Sequence, residues 1–263
     1  MPASLDHIVS ATRFRIANRQ KADIREMEKA AEGHQPRGFR KNLETIGRER
    51  PAVIAELKKA SPSKGLIRAD FHPTLLAKEL QSAGAAALSV LTEENFFQGS
   101  LENLRLASSA TKLPCLRKDF IVDESQVLEA RANCADAILL IVAALSQEEL
   151  VKLERCARQC ELDVLCEVHD EEELRRALDV GFDLIGVNSR DLRTFHVDLQ
   201  TAFRLAEKMP SDVLSVAESG INAASDIQRL RDAGYGAFLI GESLMKAESP
   251  GKALSALLGG RLS

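Results

Sequence analysis

Residues 51–68 read PAVIAELKKASPSKGLIR, and the first eight of them decide how the chain folds. PAVIAELK has the β-branched, apolar character of a buried strand, but it ends with a glutamate and a lysine two positions apart. Side chains alternate across a strand, so Ile54, Glu56 and Lys58 share one face while Val53, Ala55 and Leu57 share the other. One face suits packing under apolar helices. The other carries opposite charges at its C-terminal end and runs into Ser-Pro-Ser and a glycine.

Segments of this kind recur: AALSVLTE, PCLRKDF, AILLIV, DVLCEV, LIGVNSR, LSVAES and AFLIG bring the expected strands to eight. Between them lie stretches of helical periodicity, among them HPTLLAKELQSAG, SLENLRLASSA, ESQVLEARANC, SQEELVKLERCARQC, DEEELRRALDVG and AASDIQRLRDAG. Ser146 and Asp170 occupy N-cap positions before acidic first turns, and Gly84, Gly181 and Gly234 fall just past helix ends. Strict alternation of strand and helix implies a parallel sheet, and eight units close an α/β (β/α)8 TIM barrel. The competitor is an open doubly wound sheet. Two features count against it: no G-x-G-x-x-G follows the first strand, and polar residues recur at the C-terminal ends of nearly all strands.

No linker, low-complexity tract or composition shift divides the chain. Residues 1–263 are therefore expected to form a single barrel domain, of which 1–48 is an N-terminal helical extension. In that extension Leu5, Ile8, Val9, Phe14 and Ile16 suggest an amphipathic helix and QKADIREMEKAAEG a second helical stretch. Periodicity leaves open whether the extension caps the barrel bottom or covers its mouth.

Composition narrows the function classes. With 45% hydrophobic and 28% charged residues and a net charge of -4, the chain is an ordinary globular one without the basic stripe of a nucleic-acid domain. The longest apolar run, Ala137 to Leu145, is about half of the roughly 20 residues that span a membrane, and the N-terminus lacks a secretory signal pattern. Five cysteines at 115, 134, 156, 160 and 166 show no disulfide-framework spacing, which fits a reducing cytoplasm. Cys156 and Cys160 lie one helical turn apart and with His169 would make a partial metal set, but small residues on a buried helix face account for them better. Nothing marks an oligomer interface, and a monomer is the working expectation.

Applied to the other strands, alternation turns Lys118, Glu167, Asn188, Arg190 and Glu218 inward together with Glu56 and Lys58. Barrel active sites are assembled at that end of the strands, and such a set of charges is costly to desolvate without mutual pairing or a ligand. The bland alternative is a satisfied ion-pair layer. The loops add a second signal: Ser219 and Gly220 after strand seven, Gly241 and Ser243 after strand eight, and Ser61 after strand one offer amides and hydroxyls for a phosphate, with Lys58 or Lys64 as counter-charge. Glu242 is expected to turn its carboxylate away from that anion.

These residues lie in motifs that closely resemble the indole-3-glycerol phosphate synthase family. The motifs are AELKKASPSKG (55–65), SVLTEENFFQGS (89–100), LRKDFIVDESQV (116–127), LCEVHDEEEL (165–174), IGVNSRDLRTF (185–195), VAESGI (216–221) and FLIGESLM (238–245). They run in family order over essentially the whole chain after residue 50, and LDHIVSATRFRIANR resembles the family's helical extension.

The resemblance implies a decarboxylating lyase of tryptophan biosynthesis. Its substrate is 1-(2-carboxyphenylamino)-1-deoxyribulose 5-phosphate, and it needs no metal, nucleotide or flavin. Lys118 would then be the acid at the ketone, Glu167 the base, and Lys58 or Lys118 the second acid. Glu56 and Glu218 would hold the lysines, and Asn188 would bind a sugar hydroxyl. Arg190 would take the aromatic carboxylate, with Phe97 and Phe120 beside the ring unless they serve core packing. His72, His169 and His196 are expected to have surface or capping roles. The rivals are a phosphoribosylanthranilate isomerase-like phosphosugar isomerase, which would need a cysteine and aspartate pair, and a catalytically silent phosphate-binding barrel.

Overall fold

The computed structural model describes residues 4–18, 24–191 and 194–260. Among them β1 (Ala52–Leu57), β2 (Ala87–Leu91), β3 (Cys115–Lys118), β4 (Ala137–Ile141), β5 (Asp163–Val168), β6 (Leu184–Asn188), β7 (Leu214–Glu218) and β8 (Ala237–Ile240) form a closed parallel barrel. Each strand pairs with its neighbour in chain order, and the ring shuts where Ala52 to Ala55 of β1 run beside Ala237 to Ile240 of β8. The expected (β/α)8 fold is the one that forms.

Alternation separates two cores. Val53, Ala55 and Leu57 pack in an outer layer with helix residues such as Leu76, Leu104 and Leu150. Ala52, Ile54, Leu116, Leu139, Leu165, Val216 and Leu239 fill the interior. Each large apolar side chain buried in either layer contributes about 1.5–3 kcal/mol, so the apolar positions fix the strand registers and thereby the direction of every charged residue between them. The outer helices include α4 (Pro73–Ser82), α5 (Leu101–Ala110), α6 (Glu124–Ala132), α7 (Gln147–Gln159), α8 (Glu171–Val180) and α10 (Ala224–Asp232). Ser146 and Asp170 cap α7 and α8 by accepting from the N–H groups of Glu149 and Glu173. Gly84, Gly181 and Gly234 have the left-handed backbone that follows a helix end. Shorter helices α9 (Gln200–Ala206), α11 (Glu242–Lys246) and α12 (Pro250–Leu257) complete the layer.

The chain before β1 reaches both ends of the barrel. α1 (Leu5–Ala17) lies at the C-terminal mouth, where the His7 ring meets Phe96 edge-on at 5.6 Å and Arg13 pairs with Glu149 at 2.8 Å. Phe14 does not belong to its packed face, being 72% exposed. α2 (Ile24–Glu32) packs against α6; Gln20 to Asp23, the start of that expected helical stretch, lie outside the described residues.

A third helix, α3 (Phe39–Glu49), which periodicity did not predict, closes the opposite end by inserting Phe39 and Leu43 into the interior core. Its backbone is tied to the barrel where the Arg40 N–H donates to Asp163 at 2.9 Å and the Asn42 amide donates to the Ala86 carbonyl at 2.6 Å. The preceding loop is anchored by fully buried Asp136, which accepts from the Arg37 guanidinium and from the Cys115 N–H and pairs with His34 at 3.2 Å. Among the described residues no helix is long and apolar enough to cross a membrane.

Candidate active site

The mouth of the barrel holds a cavity of about 420 Å³, and every residue expected at the site from the sequence lines it. Glu56, Lys118, Glu167, Asn188 and Glu218 enter from strand ends, and Lys58 and Arg190 from the positions just beyond. Ser61 comes from the first loop, Ser219 and Gly220 from the seventh, Gly241 and Ser243 from the eighth. Phe97 and Phe120, half-buried with ring centroids 6.1 Å apart, form one wall. From α1, Leu5 and Ile8 complete the lining, and Phe195 and Val197 add further apolar surface.

Charge is tightly paired inside. The Lys118 ammonium donates to Glu167 Oε2 at 2.8 Å and to Glu218 Oε2 at 2.9 Å, while Lys58 donates to Glu56 at 2.6 Å. Burial opposes the charge on Lys118, but Glu167, Glu218 and Glu56 outweigh it and hold the lysine protonated well above its ordinary range. Burial likewise raises Glu167, yet Lys118 and His169 overcome it and keep this carboxylate ionised well below its ordinary range. Glu218 goes the other way: burial, joined by the nearby charge of Glu167, defeats Lys118 and pushes it up to about 7. Its Oε1 is buried without a hydrogen-bond partner among the described residues. Of the two carboxylates that share this lysine, Glu167 is thus held ionised and Glu218 is pushed toward its protonated form.

Two glycines make room for this cluster. A Cβ at Gly186 on β6 would overlap Glu218 Oε1, and one at Gly241 would stand 2.9 Å from the Glu56 Cβ and overlap its carboxylate. Gly241 therefore shapes the carboxylate side of the cavity as well as its loop. Ser219 and Gly220 both adopt left-handed backbone, with φ of 64° and 79°, which turns the chain sharply at the end of β7. The Asn188 side-chain oxygen accepts from the Arg190 N–H at 3.0 Å. Arg190 also pairs with Glu242 at 3.2 Å, and Glu242 with Lys246 at 2.6 Å. Glu242 thus lines the cavity with its carboxylate drawn to two cations, rather than simply turning away.

Several supporting residues escaped the sequence reading. Buried Glu93 accepts from the N–H groups of Asn95, Phe96 and Phe97, fixing the loop that carries Phe97. Arg117, 1% exposed on the outer face of β3, donates to Asp119, Thr92 and the Gln126 carbonyl and forms an ion pair with Glu129 at 3.0 Å. Asp119 in turn accepts from the Phe120 N–H at 2.8 Å, so this network sets the turn that follows Lys118. His169 has neither a surface nor a capping role: its side chain is only 14% exposed and lies 3.4 Å from Glu167 and 3.0 Å from Glu173. His72 pairs with Asp70 in the open and His196 is exposed, as expected of them. None of the five cysteines lines the cavity, which removes the cysteine that the isomerase reading requires.

A half-buried lysine between two buried carboxylates, facing loops suited to an anion, is equipped to move protons on a small molecule that brings its own negative charge. Fold and cavity together define a barrel enzyme of the acid–base class. The chain belongs to the indole-3-glycerol phosphate synthase family, whose sequence model matches residues 5–257. A relative of that name from Koribacter versatilis is 59% identical over 260 residues, covering 98% of this chain and 100% of its own. One from Acinetobacter baumannii is 50% identical over 246 residues, covering 93% and 90%.

Among solved structures the chain resembles thiamine phosphate pyrophosphorylase from Pyrococcus furiosus, with a TM-score of 0.60 and 17% identity over 81% of this chain and 95% of that one. It also resembles KGPDC from Streptococcus mutans, with a TM-score of 0.58 and 13% identity over 80% and 96%. At such identities the likeness is one of fold. The family activity is ring closure of 1-(2-carboxyphenylamino)-1-deoxyribulose 5-phosphate to indole-3-glycerol phosphate with loss of carbon dioxide and water, a lyase step of tryptophan biosynthesis.

Proposed function

We propose that the residues of this cavity carry out that ring closure as follows. Arg190 binds the aromatic carboxylate, Phe97 and Phe120 flank the ring, and Ser61, Ser219, Gly220, Gly241 and Ser243 hold the phosphate. The ring carbon bearing the carboxylate attacks the ketone carbon while Lys118 gives a proton to the ketone oxygen, making a hydroxyl. Carbon dioxide then leaves, and its bonding electrons restore the aromatic ring. In the last step the hydroxyl takes a proton from Lys58 or Lys118 and departs as water. Glu167 removes a proton from the carbon between the nitrogen and the former ketone carbon, which completes the indole. Two protons are given and one is taken, so each turnover draws one from solvent. Glu167 stands 2.8 Å from Lys118 and can return its proton there. Glu56 and Glu218 hold the lysines and stabilise positive charge on the substrate nitrogen, and Asn188 bonds a sugar hydroxyl.

The observation that carries this reading is the Lys118 ammonium shared between Glu167 and Glu218 within the cavity. Its test is Lys118→Ala, followed by indole fluorescence and by binding of a phosphate-bearing substrate analogue. The expectation is a fall in turnover of about 10²–10⁴-fold with binding retained. Unchanged turnover would remove Lys118 as the acid. We also read the protein as cytoplasmic and without a nucleic-acid partner, supported by five free cysteines and a net charge of -4.

A further inference from the structure

His169 follows directly on β5 and continues the face that carries Leu165 and Glu167 into the barrel. Its Nδ1 lies 3.0 Å from Glu173 Oε2, and the same oxygen accepts from the His169 backbone N–H at 2.8 Å. Glu173 is itself held in the first turn of α8, where its N–H donates to Asp170 at 2.9 Å. The ring is therefore clamped on one edge. Its other nitrogen, Nε2, is buried with no aligned hydrogen-bond partner among the described residues and lies 3.4 Å from Glu167 Oε1. Lys118 occupies the opposite oxygen of the same carboxylate.

We propose that His169, clamped by Glu173, is a positioning residue that fixes the Glu167 carboxylate for proton removal. The inference rests on the reading of Glu167 as the base. A carboxylate touched only by Lys118 is free to swing about that single contact; a cation on its second oxygen fixes the plane of the group and the direction in which it can accept a proton. Burial disfavours a charge on the imidazole, but Glu167 and Glu173 together raise it to about 10, so it is a cation at neutral pH. The charged groups facing Glu167 are Lys118 from β3, with Glu218 of β7 behind it, and His169, with Glu173 of α8 behind it.

The amide of asparagine replaces Nδ1 and that of glutamine replaces Nε2, which lets the two contacts be separated. His169→Asn keeps a donor for Glu173 but none for Glu167. It is expected to lower kcat about tenfold to a hundredfold with little change in KM. His169→Gln keeps a donor for Glu167 and is expected to retain more of kcat than the asparagine variant. Both lose the positive charge, so the acid limb of their kcat profiles moves to higher pH by about one unit, because Glu167 then binds a proton more readily. Glu173→Gln, which leaves the ring in place, is expected to shift the limb in the same direction and serves if the histidine variants do not fold. An asparagine variant with unchanged kcat and an unmoved limb overturns the inference, as does a glutamine variant no better than the asparagine one with the limb unmoved. Glu167→Gln separates the two ideas. If it turns over normally, the base assignment fails; if it is inactive while His169→Asn is normal, only the positioning role fails.

Discussion

Replacing Gly186 by alanine adds one methyl group at the place where the barrel has no room for it. The backbone there lies outside the left-handed region, so alanine brings no conformational strain and the effect is purely one of contact. The new Cβ overlaps Glu218 Oε1 and stands 3.2 Å from Glu218 Cδ and 3.3 Å from Leu165 Cδ1. Relief requires the carboxylate to retreat by more than about 1 Å to reach ordinary van der Waals separation. Glu218 is not the loose end of a flexible chain: its other oxygen is bonded to Lys118 at 2.9 Å, so a retreat drags on the proposed acid. A misplacement of this size near the chemistry costs about 10²-fold in rate, or about 2.7 kcal/mol of barrier. Overpacking costs about 1–3 kcal/mol of stability. The assay is indole fluorescence for kcat and KM, paired with thermal unfolding. A second substitution, Glu218→Asp, shortens the acid and is expected to recover the lost stability without recovering turnover. Parental kcat and Tm in Gly186→Ala would refute the close approach on which the reasoning depends.

Other outcomes follow from the same contacts. Glu218 titrates in the folded chain at about 7 against an ordinary 4.5, so the folded state holds more protons across that interval and the stability drawn from this group declines as pH rises through it. Glu218→Gln removes that decline, and its Tm between those pH values is expected to be flatter than the parent's; an identical slope would count against the burial argument. Arg190→Lys exchanges a planar two-pronged donor for a point charge and is expected to raise KM about tenfold with a smaller effect on kcat, measured by steady-state kinetics. Asp136→Ala leaves Arg37 and His34 without their buried partner. It is expected to lose about 3 kcal/mol, a fall of roughly 10 °C in Tm, while kcat at 25 °C stays at the parental value. A melting temperature within a degree of the parent's would show that the anchor carries little.

The barrel and most of the cavity were legible because both rest on one rule, the alternation of side chains along a strand. Once Val53, Ala55 and Leu57 face outward, Glu56 must face inward, and repetition over eight strands brings the charges together. The same parity carried past the strand ends points His169 inward after β5, as it does Lys58 after β1 and Arg190 after β6. That signal was present but went unused, since histidines after a strand read more readily as loop residues. Glu93 and Arg117 were less accessible. Glu93 works by accepting from three backbone N–H groups of a loop whose conformation no periodicity describes. Arg117 is an outward residue that parity assigns to the apolar layer; its neighbour Asp119 follows β3 directly, and only the packing of α6 adds Glu129 and the Gln126 carbonyl around it. α3 was missed although Phe39, Leu43 and Ile46 have helical spacing, because three apolar residues in a charged stretch make a faint stripe.

The segment before β1 places its two ends at opposite poles of one cylinder. Phe39 and Leu43 stopper the pole where no chemistry is proposed, whereas Leu5 and Ile8 wall the pole that holds the cavity. Part of what secures the fold therefore lies at a different latitude from the chemistry. Changes around Asp136, Arg37 and α3 can shift the temperature at which the protein survives while leaving the reacting geometry alone. Changes in the first turns of α1 alter what the cavity admits and leave the stopper in place. An engineer seeking a hardier catalyst would begin at the plugged pole, and one seeking a different aromatic ring at the other.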